Sequence, residues 1–352
     1  MDESKSLKNK TEKIKVIDSF DYFSKQLKEK SDVLFSKYKK SKDNKDDVFE
    51  EKPVDLETFL YDRKYLGLKT KLSNPQFELV SVGTDIFLDS PSKYTEIVAM
   101  VGQGGGKDFC SSILVARTIY LLLCLRNPQT YYNLAFNTSI DVINIAQNAG
   151  AAKNVFFDYL TKLIDNSPIY KELGIFSYGK GLPYTKTATM IKFNKKGLRA
   201  VSGNSEDESF QGYNPILMIL DEIDSFKSKE EIIGDRKRLT GAEGMYTTSR
   251  LMVQSRFPNI GKTILLSWPR YHGSFIMQRH ENGKLEQSTY VVCKSDGSPY
   301  ATWDFNPLRK REDLLEEYIK NPESAKARFE CVPSLSESPF LPIYEMVLRA
   351  FD

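Results

Sequence analysis

IVAMVGQGGGKDFCSSILVA, residues 97–116, decides the fold of this chain. Ile97–Val101 is a short apolar run suited to a buried strand, and Ser111–Leu125 continues as an apolar helix. Between them stand Gly102, Gln103, Gly104, Gly105, Gly106 and Lys107. Glycines let the backbone curl so that successive N–H groups point at one anion. The following helix N-terminus adds partial positive charge, and Lys107 supplies a full one. The pattern G-x-x-x-x-G-K-[ST] is met imperfectly. Val101 takes the first glycine position, and Asp108 takes the final hydroxyl position. A carboxylate there suits Mg²⁺, which prefers oxygen ligands.

The second informative stretch is PILMILDEIDSF, residues 215–226. Ile216–Leu220 is continuously apolar, as in a strand covered on both faces. Asp221 and Glu222 end it, at the strand edge where open α/β sheets bind ligands. Asp221 is placed to serve Mg²⁺, and Glu222 to act as general base on a water. A phosphate cradle and this acid pair together predict ATP hydrolysis on an α/β, P-loop NTPase (ASCE-like) fold. Its sheet would be twisted, mainly parallel and flanked by helices, with at least one strand between the two motif strands.

Composition fits a large globular chain. It has 352 residues, 40% of them hydrophobic, and a formal charge of +3, too small to announce a nucleic-acid partner. Cys110, Cys124, Cys293 and Cys331 lack metal spacing, and His272 and His280 have no cysteine partners, so zinc is not expected. The N-terminus is charged, without the apolar core of a signal peptide. The most apolar stretch, 113–125, is too short to span a membrane.

Three regions are expected: a charged, partly helical arm over 1–52, an ATPase domain over 53–310, and a linker subdomain over 311–352. Phe20–Tyr38 has loose helical spacing, and 39–47 is almost entirely polar. Val54–Leu68 predicts a helix, broken afterwards at Pro75. Gln76 offers an amide that can pair with adenine N6 and N7. Tyr131–Phe136 predicts a strand, and Ser139–Leu163 predicts mostly helix. Met190–Phe193 and Leu198–Val201 flank Asn194–Gly197 as a hairpin. Glu206–Gly212 is a polar loop. Thr263–Leu266 and Tyr290–Cys293 read as strands, and Arg309–Lys320 as an exposed helix.

Several pieces, taken in order, resemble the ATPase domain of the large terminase subunit, the DNA-packaging motor of tailed bacteriophages. They are LSNPQF at 72–77, GQGGGKD at 102–108 and INIAQNAGAAKNVFFDYL at 143–160. SFQGYNPILMILDEIDSF at 209–226, QSRFPNIGKTILLSWPR at 254–270 and the segment 301–333 follow. The resemblance covers about residues 55–340. It implies ATP and Mg²⁺ as cofactors, with Gln76 on adenine and Gly104–Lys107 on the phosphates. It also implies Asp108 and Asp221 on the metal, Glu222 on the water, and Ser267 in a motif that senses hydrolysis. The implied partners are double-stranded DNA, a capsid portal, a small terminase subunit and a nuclease domain or chain. A homo-oligomeric ring in the cytoplasm of an infected bacterial host is implied too, with no membrane.

Two departures stand out. Family members often carry an arginine early in the phosphate loop and another before the acidic strand; here those positions are Gln103 and Gln211. An amide cannot replace a guanidinium on developing phosphoryl charge. An arginine must then come from elsewhere in the chain or from a neighbouring subunit. Arg270 is the first candidate, with Arg199, Arg236, Arg250 and Arg256 behind it. The resemblance implies a nuclease starting near residue 352, either excised from this sequence or carried on a separate chain, so nuclease activity is not expected here. A helicase-like nucleic-acid ATPase and a nucleotide-gated assembly module with little hydrolysis remain the rival expectations.

Overall fold

Pro215–Asp221 is buried at every position, as its unbroken apolar run requires. It lies inside an eight-stranded sheet of a computed structural model. The structure describes residues 48–333, apart from 149, 151–155, 175–182, 206–211, 227–231, 234–235 and 238–240. The chain divides into units Met1–Glu51 and Lys52–Asp352, and the elements below belong to the second. The expected arm helix over 20–38, the loop residue Gln211, the Arg236 side chain and everything past 333 lie outside the described residues.

The strands are β1 (Glu96–Met100), β2 (Ile140–Ala146), β3 (Thr185–Lys186), β4 (Met190–Phe193), β5 (Leu198–Asn204) and β6 (Pro215–Asp221). A separate two-stranded ribbon pairs β7 (Ile232–Ile233) with β8 (Arg236–Lys237), and β9 (Lys262–Ser267) and β10 (Thr289–Val292) follow. The sheet order is β10-β1-β9-β6-β2-β5-β4-β3. From β10 to β5 every pairing is parallel; β4 and β3 extend the sheet antiparallel. The β4–β5 pair is the predicted hairpin. β9 lies between the two motif strands, so the expected intervening strand is present.

Helices cover both faces. They are α1 (Leu56–Tyr61), α2 (Asn74–Gly83), α3 (Lys107–Cys124), α4 (Pro128–Tyr131), α5 (Asp158–Asn166), α6 (Pro168–Gly174), α7 (Gly241–Arg256), α8 (Phe275–Gly283) and α9 (Thr302–Phe305). Every residue of α3 from Cys110 to Cys124 is buried. On the other face Val98, Met100, Met218, Leu220 and Leu265 pack with Val253 of α7 and Ile276 of α8. Each such aliphatic side chain contributes roughly 1.5–3 kcal/mol by leaving water. Among the described residues no helix is long and apolar enough to cross a membrane. All four cysteines are free thiols.

Five local expectations are corrected. Pro75 does not break a helix; it occupies the first turn of α2, where its missing N–H is harmless. The helix predicted over 54–68 is confined to Leu56–Tyr61, and Gly67 turns the chain at φ 57°. Tyr131–Phe136 is not a strand. Asn127 caps Pro128–Tyr131 as helix, and the Tyr131 and Tyr132 hydroxyls anchor it to Leu88 and Ile86. The strand comes later, as β2, inside the stretch predicted helical. Asp141 and Asn144 hide its apolar run, yet both are fully buried. Asp141 is neutralised by Arg199 of β5 at 2.5 and 2.8 Å. At the C-terminal end, the helix expected over 309–320 is a 3₁₀ turn at Arg311–Leu314 and a short helix at Leu315–Lys320, exposed as predicted.

Candidate functional site

The parallel strands β1, β9 and β6 deliver their C-terminal ends to one edge, and Gln76, the 102–108 loop, Asp221, Glu222, Ser267 and Arg270 collect there. The loop after β1 closes on α3 through Gly106, whose φ of 91° favours glycine. Gly102 is glycine for a different reason. A Cβ there would stand 2.5 Å from both the Phe329 carbonyl and the Thr302 hydroxyl.

That close approach marks a collar around the loop. The Gly102 N–H donates to Tyr300 O at 3.0 Å, and the Gln103 N–H to Arg328 O at 2.6 Å. Thr302 Oγ1 donates to Gln103 O at 2.7 Å, and Asn306 Nδ2 to Gly104 O at 3.2 Å. From the other side Gln76 Nε2 donates to Gly105 O at 3.2 Å. Gln76 Oε1 accepts the Ser73 N–H in a capping box. Both ends of the Gln76 amide are thus engaged inside the protein, and Gln76 is buried. Contact with adenine would require that amide to turn away from the loop.

Lys107 is 4% exposed and has three acceptors for its three protons: Glu222 Oε1 at 3.1 Å, Val101 O at 3.2 Å and Gly102 O at 3.4 Å. Burial works against its charge, but Glu222 and Asp221 outweigh burial and hold its pKa above the ordinary lysine value. Glu222 occupies the left-handed region at φ 56° and ψ 45°, and its N–H donates to Leu266 O at 2.7 Å. A non-glycine residue there is strained by order 1–3 kcal/mol. The strain turns the carboxylate out of the strand line and onto Lys107.

Asp221 is buried beside the exposed Asp108. Burial first, then the charge of Asp108, pushes the Asp221 carboxyl well above the usual carboxylate range. Its Oδ1 is buried without a hydrogen-bond partner. Two carboxylates pressed together with an orphaned oxygen fit a hard cation. Among the described residues no group of three or more His, Cys, Asp or Glu gathers to hold a metal. Mg²⁺ keeps waters and takes one or two carboxylates with substrate phosphate, a donor set that Asp108 and Asp221 could supply.

The sign of the Asp221 shift gives a stability prediction. A carboxyl whose folded pKa is raised favours the fold while protonated, and that contribution fades as pH rises above the ordinary carboxylate range. Asp221→Asn should therefore melt higher than wild type at about pH 8 in the absence of magnesium, with the gap narrowing towards about pH 5. Thermal melts of both proteins in EDTA decide this; equal melting temperatures at both pH values would count against it.

Ser267 stands between loop and acids. Its carbonyl accepts the Val101 N–H at 2.9 Å, and its buried hydroxyl receives the Asp224 N–H at 3.4 Å. Arg270 holds Ser225 Oγ through Nε at 3.2 Å and Nη2 at 2.6 Å, with its guanidinium 5.2 Å from the Trp268 ring. Asp224 Oδ1 accepts the Ile276 N–H at 2.8 Å, tying the acid turn to the start of α8. Burial chiefly raises the pKa of Asp224, and these donors oppose it. Asp224, Ser225, Thr302 and Asn306 were not foreseen. The first two were legible as the polar residues following DEI; nothing local marks the others.

The comparisons with known proteins bear on the family and the fold. A family model described as "Uncharacterized protein MJ0330, N-terminal P-loop domain" matches residues 14–331. The uncharacterized protein MJ0330 of Methanocaldococcus jannaschii is 26% identical over 260 residues, covering 72% of this chain and 42% of that protein. The HK97 bacteriophage large terminase superposes with a TM-score of 0.50 at 15% identity, over 83% of this chain and 57% of that one. The Thermus phage P74-26 large terminase ATPase domain matches with a TM-score of 0.44 at 15% identity, over 75% of this chain and 99% of that one. The chain spans about half the length of the first two. The fold is that of a P-loop NTPase, shared with a phage large terminase, and the chain belongs to the family of the MJ0330 N-terminal P-loop domain.

Proposed function

We propose that this chain is the ATPase motor of a DNA-packaging terminase, hydrolysing ATP with Mg²⁺ to move double-stranded DNA. The observation that carries the proposal is the meeting of Lys107 with Glu222 at 3.1 Å beside Asp221. A phosphate-binding ammonium and a water-activating carboxylate are useful together only where a triphosphate can part them. Asp108 and Asp221 would hold Mg²⁺, which supplies charge neutralisation on the phosphates. The Gly104 and Gly106 N–H groups and the start of α3 would receive those phosphates, since the Gly102, Gln103 and Gly105 N–H groups are already occupied. When Lys107 turns to the nucleotide, Glu222 is released to accept a proton from water. Ser267 would sense that change through its bonds to the loop strand and the acid turn.

The wider reading includes a ring of copies, a capsid portal, a small terminase subunit and a nuclease domain or chain as partners. Under this reading the motor works in the cytoplasm of an infected bacterial host. DNA grip would be largely through phosphates and therefore weakened by salt. A nucleotide-gated assembly module is the second reading. The ion pair that neutralises Glu222, and glutamine at position 103, favour it.

The test is phosphate release from ATP by the purified chain with magnesium or EDTA, joined to displacement of a third strand from a DNA triplex. Magnesium-dependent release with ATP-dependent displacement is expected. Asp108→Ala should raise the magnesium concentration needed for half-maximal rate. Turnover without displacement would remove the translocation claim. Tight ATP binding without turnover would select the assembly module.

A further inference from the structure

Negative charge grows on the transferred phosphoryl group, and Lys107 is one cation where such sites commonly use a guanidinium as well. Position 103, in the loop, is glutamine. Of the described candidate arginines, three stand at the wrong end of the sheet and one is already held. Arg199 is bound to Asp141, the second residue of β2, and so stands at the opposite edge of the sheet. Arg250 lines a cavity of about 520 Å³ with Glu96, at the beginning of β1 and on that same far edge. Arg256 ends α7 before β9 begins. Arg270 is held by Ser225.

Arg328 is different. Its carbonyl accepts the Gln103 N–H at 2.6 Å, so its backbone touches the phosphate loop at the position where the arginine is missing. It lies in a π-helical turn, Lys326–Glu330, a geometry often found at functional sites. Its side chain is exposed, and its guanidinium lies 5.8 Å from the Trp268 ring, next to Ser267 at the C-terminal end of β9. Among the described residues no carboxylate pairs with it. Three residues on, the buried Cys331 feels the charges of both Lys107 and Glu222, so this strip of chain runs along the catalytic groups.

We propose that Arg328 supplies, within the same chain, the guanidinium that Gln103 cannot. This rests on the ATP-hydrolysing reading above. Arg328 leaves the Trp268 ring and donates N–H bonds to the terminal phosphate. Water oxygen bonds to the γ-phosphorus as the bond to the bridging oxygen breaks. That oxygen departs with its electron pair on ADP, and the water's proton passes to Glu222. Arg328 gains and loses no proton. The π-helical turn then reports nucleotide state along the chain, because one residue binds the loop by its backbone and the phosphate by its side chain.

The experiment uses the full chain, dilute and shown monomeric by light scattering. Arg328→Ala should lower single-turnover phosphate release by roughly 10³-fold or more, as loss of an arginine finger does. Its affinity for a non-hydrolysable ATP analogue, read by calorimetry, should stay within a few-fold, which also shows that the variant is folded. Arg328→Lys should not restore the rate, because an ammonium lacks the planar fork. Adding Gln103→Arg to Arg328→Ala should recover part of it. An Arg328→Ala rate within about tenfold of an active wild type would overturn the assignment alone, being far short of an arginine finger's effect. So would rescue of Arg328→Ala by mixing with subunits carrying Glu222→Gln, which would place the guanidinium in trans. A wild-type chain without ATP affinity would overturn the proposed function together with it.

Discussion

Glu222→Gln should bind ATP at least as tightly as wild type and fail to turn it over. The amide cannot accept a proton from water, so the rate should fall by roughly 10²–10⁴-fold, the usual contribution of a general base. Binding should hold or tighten because the substitution removes the carboxylate that engages Lys107 at 3.1 Å. Quenched-flow phosphate release and calorimetry with ATP, on the same preparation, give both numbers. A variant that hydrolyses at the wild-type rate would remove Glu222 from the chemistry. A variant that binds markedly more weakly would show that Glu222 positions the nucleotide instead.

Lys107→Ala should act on the other side of the cycle. It deletes the buried ammonium, and truncating one partner of a buried charge pair costs about 2–5 kcal/mol of binding, or roughly 30- to several thousand-fold in affinity. The loop itself should persist. Lys107 gives up its bonds to Val101 O and Gly102 O, but the Gly102 and Gln103 N–H groups and the Gln103 and Gly104 carbonyls stay fixed by Tyr300, Arg328, Thr302 and Asn306. Glu222, with 29% of its side chain exposed, can turn to solvent when its partner is gone. Calorimetric titration should therefore show ATP affinity lost while circular dichroism is unchanged. Affinity within a few-fold of wild type would mean that Lys107 only braces Glu222.

The parts of this fold that were legible in the sequence are those whose physics is local. β1 and β6 are uninterrupted apolar runs, and their chemistry sits in the turns that follow. The β4–β5 hairpin carries its own turn residues. β2 was hidden because Asp141 and Asn144 break its pattern, and the partner that makes Asp141 tolerable, Arg199, is 58 positions away. Pro75 reads in the sequence as a helix break, because the capping box of Ser73 and Gln76 that starts a helix there depends on side-chain geometry. The collar was hidden most completely. Thr302 meets Gln103 across 199 positions, and no spacing rule reaches that far. The sequence therefore named the loop, the acids and Ser267, and gave no hint that residues 300–331 close around them.

The order β1-β9-β6 works as a caliper. Two strand spacings of about 4.8 Å set the roots of the phosphate loop and the acid turn nearly 10 Å apart. Backbone ladders hold that gap, in register from Glu96–Thr263 to Met100–Ser267 on one side and from Leu217–Lys262 to Asp221–Leu266 on the other. A chain built this way can exchange the side chains at its jaws, such as aspartate for a hydroxyl or glutamine for arginine, without losing the span between them. What it cannot absorb is a one-residue slip of β9. That would turn Ser267 to the opposite face and shift both jaws at once, so the least chemical strand of the three is the one that sets the gauge.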